Sequence, residues 1–167
     1  MNTKEILSIL KSDQAVGQIL LGVFPLDKIP IIKNKPSALV INMDPSYMNG
    51  SHWIAMFFDK NDSCDYFDSY GKKPSKVLEK YMFRFSSKIR TSLKQIQNNF
   101  TSTCGQLCIY FLIWRSRGIP LETIMSSLDR GFTDEYVTGF VNNLFKVNTV
   151  IIDEDFIINQ LSTIKDV

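Results

Sequence analysis

The segment "CGQLCIYFLIWRSRG", residues 104–118, restricts the possible folds of this chain more than any other. It is apolar on nearly every side of a helix, then basic, then closed by Gly118. A surface helix shows one apolar stripe, whereas a helix that is apolar all round has to be covered on all sides. The segment therefore predicts a central buried helix, with basic residues and a glycine at its C-terminal end. A chain of 167 residues is long enough to cover such a helix within one domain, residues 1–167.

The covering elements can be read from periodicity. "SALVINM" (37–43), "HWIAMFFD" (52–59) and "CDYFDS" (64–69) are rich in β-branched and aromatic residues and separated by the turn-forming stretches "DPSYMNG" and "KNDS". The second and third should pair as a hairpin, which brings His52 and Asp68 to the same end of a sheet. "TKEILSILKS" predicts an N-terminal helix with Thr3 as its N-cap, and "GVFPLDKIPIIKNKP", with three prolines, reads as loop. From Pro74 the period is helical, with Val77, Leu78, Tyr81, Met82, Phe85 and Ile89 on one face. Further helices are expected from Pro120, over "TDEYVTGFVNNLFK" with Thr133 as N-cap, and over "DEDFIINQLSTIK". Without repeats or linkers, the reading is one α+β domain, a central mixed sheet of short strands packed by helices.

Several classes are excluded. No apolar run approaches the roughly 20 residues of a membrane helix, and "MNTKEILSIL" lacks the pattern of a signal peptide. Three cysteines do not make a secreted disulfide framework, and one histidine is a thin supply of metal ligands. An intracellular protein with no membrane association and no metal is expected.

Three residues have complementary chemistry. Cys104 opens the buried helix, where the helix dipole favours thiolate. Gly105 beside it permits close approach of backbone or substrate. His52, the single histidine, can take the thiol proton, and Asp68 can hold the second ring nitrogen. Taken singly, each has an ordinary reading: a small core residue, a structural histidine, a turn aspartate. Cys64 and Cys108 read as buried packing residues.

The motifs "GSHWIAMFF", "YFDSYG" and "QNNFTSTCG", in that order, resemble those of the adenovirus-type maturation proteases, within the wider group that includes proteases of ubiquitin-like proteins. The resemblance covers roughly residues 18–115, and little of it extends beyond about residue 120. It implies an adenain-like fold whose buried helix starts at a nucleophilic Cys104, with His52 as base and acid and Asp68 orienting it. It also implies Gln97, seven residues before Cys104, as an oxyanion donor beside the Cys104 backbone N–H, with Gln95 as fallback and Trp53 packing near His52. The expected activity is that of a cysteine endopeptidase of a DNA virus, virophage or virus-like mobile element. It would cleave capsid or core precursors at glycine-containing sites, as a monomer, in the infected cell and the virion. Alternatives are a deconjugating protease of ubiquitin-like modifiers and an inactive binding module.

No cofactor is required for this chemistry, although the adenoviral enzymes use a disulfide-linked peptide activator and DNA. The segment "RFSSKIRTSLKQIQ" holds no cysteine, which argues against a disulfide-linked peptide but not against a non-covalent one. Residues 72–94 carry eight Lys/Arg against one acid, +7 in a chain of +2, so the remainder carries −5. Lys72, Lys76, Lys80, Arg84 and Lys88 are expected along one helix face, either as its solvated side or, with Lys73, as a stripe binding DNA irrespective of sequence.

Overall fold

The computed structural model describes residues 1–129 and 133–147. Five strands form one mixed sheet in the order β1 (Leu20–Pro25), β2 (Ser37–Asn42), β3 (Trp53–Phe58), β4 (Ser63–Phe67) and β5 (Lys88–Thr91). The outer pairs β1·β2 and β4·β5 are parallel, and the inner pairs are antiparallel. Strands β2, β3 and β4 are buried on both faces, which is why they read as continuous apolar runs rather than alternating ones.

The expected central helix is α4 (Cys104–Ser116), in which each residue from Leu107 to Trp114 is at most 1% exposed. It lies against Ala38, Val40, Trp53, Ala55, Phe57 and Phe67 of the sheet, and the two small alanines leave room for it. Phe111 stacks on Phe67 with ring centres 4.8 Å apart. The other sides of α4 are covered by α1 (Thr3–Ser12), α2 (Gln14–Gly17), α5 (Leu121–Leu128) and α6 (Thr133–Val147). Each such aliphatic or aromatic side chain removed from water contributes roughly 1.5–3 kcal/mol before entropy is subtracted. The opposite face of the sheet is closed by α3 (Lys76–Phe85), through Leu78 and Met82 against Leu39, Ile54, Met56 and Phe58.

The basic end of α4 is neutralised within the fold. Arg115 Nε donates to Asp65 at 2.5 Å and its guanidinium lies 4.5 Å from the centre of the Phe57 ring, while Arg117 pairs with Asp13 at 2.8 Å. The chain turns away just past the helix at Gly118, whose φ of 86° is the left-handed conformation that glycine adopts without strain.

Three expectations need correction. The N-cap of α1 is Asn2, whose side chain accepts from Glu5 N–H while the Glu5 carboxylate accepts from the Asn2 N–H; Thr3 is the first helical residue. Part of the expected proline-rich loop is strand β1, at the edge of the sheet, with Gly22 at a register shift and Pro25 as its last residue. The basic helix stops at Phe85, and Lys88 and Ile89 belong to β5. α6 begins at Thr133, as its expected position requires. The helix expected over "DEDFIINQLSTIK" lies outside the described residues.

Candidate active site

The hairpin of β3 and β4 places two of the expected residues. Ala55 pairs with Phe67, so His52, just before β3, and Asp68, just after β4, meet at one end of the sheet. His52 Nε2 lies 2.8 Å from Asp68 Oδ1, and that same oxygen accepts from the Tyr70 N–H at 2.8 Å. Asp68 is therefore held by the turn that follows it, and it fixes Nε2 as the protonated ring nitrogen. Nδ1 is buried and has no hydrogen bond, which leaves it for the third residue.

That residue is Cys104, at the first position of α4. Burial raises its thiol pKa, but His52, the backbone N–H groups of Trp53 and Gly105, and the charge on the ring outweigh burial and bring it below the ordinary value. The histidine responds in the complementary direction. Burial works against its charge, while Asp68 and Cys104 push its pKa up to about 9. Thiol and ring are thus near enough to shift each other's proton affinity although Nδ1 makes no hydrogen bond of ordinary geometry, and such contacts commonly tighten when substrate binds. Both shifts favour transfer of the thiol proton to the ring, the direction that a thiolate–imidazolium pair requires. Cys64 and Cys108 differ, because both are fully buried and burial pushes their thiols up.

Gln97 is 2% exposed and anchored at both ends. Its Oε1 accepts from Ser69 Oγ at 2.6 Å, and its Nε2 donates to the Thr101 carbonyl at 2.8 Å. A carbonyl can only accept, so the amide orientation follows, and one Nε2 hydrogen is left for a further acceptor. Gln95, the fallback, is exposed and uses its amide on the Gln97 carbonyl and Asn99, which ties up both of its hydrogens. Gly105 is in close contact with its own chain. A Cβ there would lie 3.2 Å from both Ile6 and Met1, so the glycine permits α1 to pack against the start of α4.

A cleft runs from the thiol. A cavity of about 280 Å³ is lined by Met1, Asn42, Gly50, Trp53, Ser102 and Cys104, among others. It shares Asn42, Gly50 and Trp53 with a second cavity of about 210 Å³ that extends to Phe24 and Met48. Trp53 forms a wall of both, with its indole N–H donating to the Met1 carbonyl at 3.3 Å.

Sequence reasoning missed Ser69, Thr101, Tyr70 and Asp134. Tyr70 packs against His52 with ring centres 4.8 Å apart, and Lys72 Nζ lies 5.4 Å from the Tyr70 ring centre. Tyr70 sits within the quoted motif and was the one within reach. The others act through contacts 28 or more residues apart in the chain, or through a backbone carbonyl. The basic residues are split among three elements. Lys72 and Lys73 precede α3, Lys76, Lys80 and Arg84 lie on it, and Lys88 starts β5; all six are exposed. Arg90 and Lys94 are engaged with Asp59, Asp65 and Asp129. Among the described residues, no cluster of His, Cys, Asp and Glu is placed to hold a metal, and no helix is long and apolar enough to cross a membrane.

A mixed sheet with a cysteine at the start of a buried helix, close to a histidine held by an aspartate, is the arrangement a thiol protease needs, on an adenain-like fold. The chain belongs to the adenovirus endoprotease family, whose sequence pattern matches residues 20–150. The match runs some thirty residues beyond the region in which the motifs alone show a resemblance, and so takes in α5 and α6. Among relatives, the protease of bovine adenovirus 7 is 30% identical over 129 residues, covering 67% of this chain and 63% of that protein. The putative thiol protease R355 of Acanthamoeba polyphaga mimivirus is 34% identical over 100 residues, which cover 54% of this chain and 33% of that protein. The chain thus spans between a third and just under two thirds of these two relatives. The crystal structure of the ASFV pS273R protease shares the fold at a TM-score of 0.61 and 16% identity, covering 86% of this chain and 66% of that one.

Proposed function

We propose that this protein is a viral cysteine endopeptidase in which Cys104 is the nucleophile, His52 the acid–base and Asp68 the residue that orients and charges His52. The single observation that supports this most is His52 anchored on Asp68 at 2.8 Å with its buried Nδ1 left without a partner, beside a thiol at the first position of α4. The Cys104 thiolate attacks the scissile carbonyl, and the charge that develops on its oxygen is met by the Cys104 N–H and the free Nε2 hydrogen of Gln97. The imidazolium of His52 gives its proton to the leaving amine as the C–N bond breaks. It then takes a proton from the water that hydrolyses the thioester, restoring the pair. No cofactor enters these steps.

The cleft beside Gly50 and Trp53 suits an extended peptide with small residues near the scissile bond, as in glycine-containing sites of capsid or core precursors. The enzyme would act as a monomer in the infected cell and in the virion. The exposed Lys72, Lys73, Lys76, Lys80, Arg84 and Lys88 would hold duplex DNA through its phosphates. Cys64, Cys104 and Cys108 are all buried, so a peptide activator would bind without a disulfide.

The test is hydrolysis of quenched peptides spanning glycine-containing junctions, compared with ubiquitin-like proteins carrying a C-terminal reporter. Wild type should cleave the peptides, and the Cys104→Ala and His52→Ala proteins should fold without cleaving them. Exclusive turnover of the folded modifiers would replace this reading with a deconjugating enzyme. No turnover of either would indicate a binding module.

A further inference from the structure

We propose that Asp134, on α6, is a positioning residue that holds the oxyanion donor and the nucleophile in register. This deepens the protease reading and rests on it. The carboxylate accepts two hydrogen bonds from one short loop. Oδ2 takes the Asn98 N–H at 3.0 Å, and Oδ1 takes the Thr103 hydroxyl. Asn98 directly follows Gln97, and Thr103 directly precedes Cys104. One side chain therefore grips the backbone neighbour of each group that would meet the oxyanion.

The loop between these two points has few other long-range ties. Thr101 Oγ1 donates to the Asn98 carbonyl at 2.9 Å and lies 3.3 Å from Thr103 Oγ1. The Gln97 amide reaches the Thr101 carbonyl at 2.8 Å. Phe100, at the tip, is 97% exposed and contributes little packing. These bonds make the loop internally consistent but do not fix it to the body of the protein. Asp134, at Asn98 and Thr103, and Ser69, at Gln97, do that.

The second consequence concerns the start of α4. Thr103 is its N-cap residue, yet the Thr103 hydroxyl makes no capping bond to the helix. It is drawn to Asp134 instead. The first N–H groups of α4 thus remain unclaimed by a cap, where a capping hydroxyl would compete with an oxyanion for them. Asp134 both sets the distance between Gln97 and Cys104 and keeps the helix N-terminus available to the reaction.

A positioning role through the oxyanion predicts a loss in kcat with KM little changed, because the charge develops only in the transition state. Removing one oxyanion donor costs on the order of 10²–10³ in kcat. Asp134→Ala should lose about 10- to 100-fold, and Thr103→Val a similar amount, while Thr103→Ser keeps the hydroxyl and most of the rate. In a Gln97→Ala background, Asp134→Ala should cost several-fold less than in wild type, since one of the two donors it positions is gone. Cys104 alkylation by iodoacetamide across pH should be unchanged in Asp134→Ala, because the thiolate–imidazolium pair is not its target. Full kcat in both Asp134→Ala and Thr103→Val, or losses that multiply fully with Gln97→Ala, would overturn the proposal. Full activity of Asp134→Ala alongside a slow Gln97→Ala would refute the clamp and leave the protease intact. A wild-type protein without peptidase activity would instead refute the reading on which the clamp rests.

Discussion

The charge on Asp68 can be separated from its hydrogen bonds, and the structure predicts the consequence. The bonds from His52 Nε2 and from the Tyr70 N–H both end on Asp68 Oδ1. Asp68→Asn can place its carbonyl oxygen in the same position, so the ring stays oriented while the negative charge disappears. His52 is raised from 6.5 to about 9 against the opposing effect of burial, and Asp68 heads the contributions that raise it. At pH 7.5 a pKa of about 9 leaves roughly thirty imidazolium rings for each neutral one, whereas 6.5 leaves about one in ten; the span is worth about 3 kcal/mol. The sign follows directly. The raised pKa extends the active ion pair upward in pH, so losing Asp68 removes activity from the alkaline side. Asp68→Asn should shift the alkaline limb of kcat/KM from near 9 to 7 or below, with a loss of about fourfold or more at pH 7.5. Asp68→Ala also frees the ring and should lose at least tenfold more, yet retain more activity than His52→Ala. The assay is the pH dependence of hydrolysis of a glycine-containing peptide, with iodoacetamide inactivation followed in parallel. An alkaline limb that stays near 9 in Asp68→Asn would refute the assignment of His52's charge to Asp68.

Two other perturbations have defined outcomes. Tyr70→Leu removes the ring packed on His52 but keeps the backbone N–H that holds Asp68, so kcat should fall about three- to tenfold with a smaller shift of the alkaline limb than in Asp68→Asn; an unchanged rate would show that the ring contact is incidental. Duplex DNA binding, read by anisotropy at several salt concentrations, should weaken steeply with salt, and Lys80→Glu/Arg84→Glu should reduce both affinity and slope while peptide hydrolysis is unchanged; no binding at low salt would return these residues to a solvated face.

Much of this was legible in the sequence, for identifiable reasons. The all-round apolar segment 104–118 had to be covered, and the two-face burial of β2–β4 left runs that could only be interior strands. The hairpin then placed His52 and Asp68 together without further information. Strand β1 was hidden because Gly22 and Pro25 signal a loop, and only an edge position beside β2 accommodates them. The end of α3 was hidden because Phe85 and Ile89, and Arg84 and Lys88, keep a spacing of four across a boundary. What stops the helix is Ser86 in extended conformation, followed by pairing of β5 with β4, a tertiary event. Asn2 and Glu5 formed a readable capping box that the more obvious Thr3 obscured. Gln97 was accessible through resemblance alone, and Asp134 not at all, because thirty residues separate it from the loop it holds.

The most direct test of the central claim is to find which sulfur reacts. The protein would be exposed at pH 6.5 to a peptide ending in a glycine-derived electrophile, then digested and mapped by mass spectrometry. One adduct, on Cys104, is predicted, formed at least a hundredfold faster than in His52→Ala, with the buried Cys64 and Cys108 unmodified until the protein is unfolded. Equal labelling of the three cysteines, or a Cys104 rate that does not change when His52 is removed, would contradict the account.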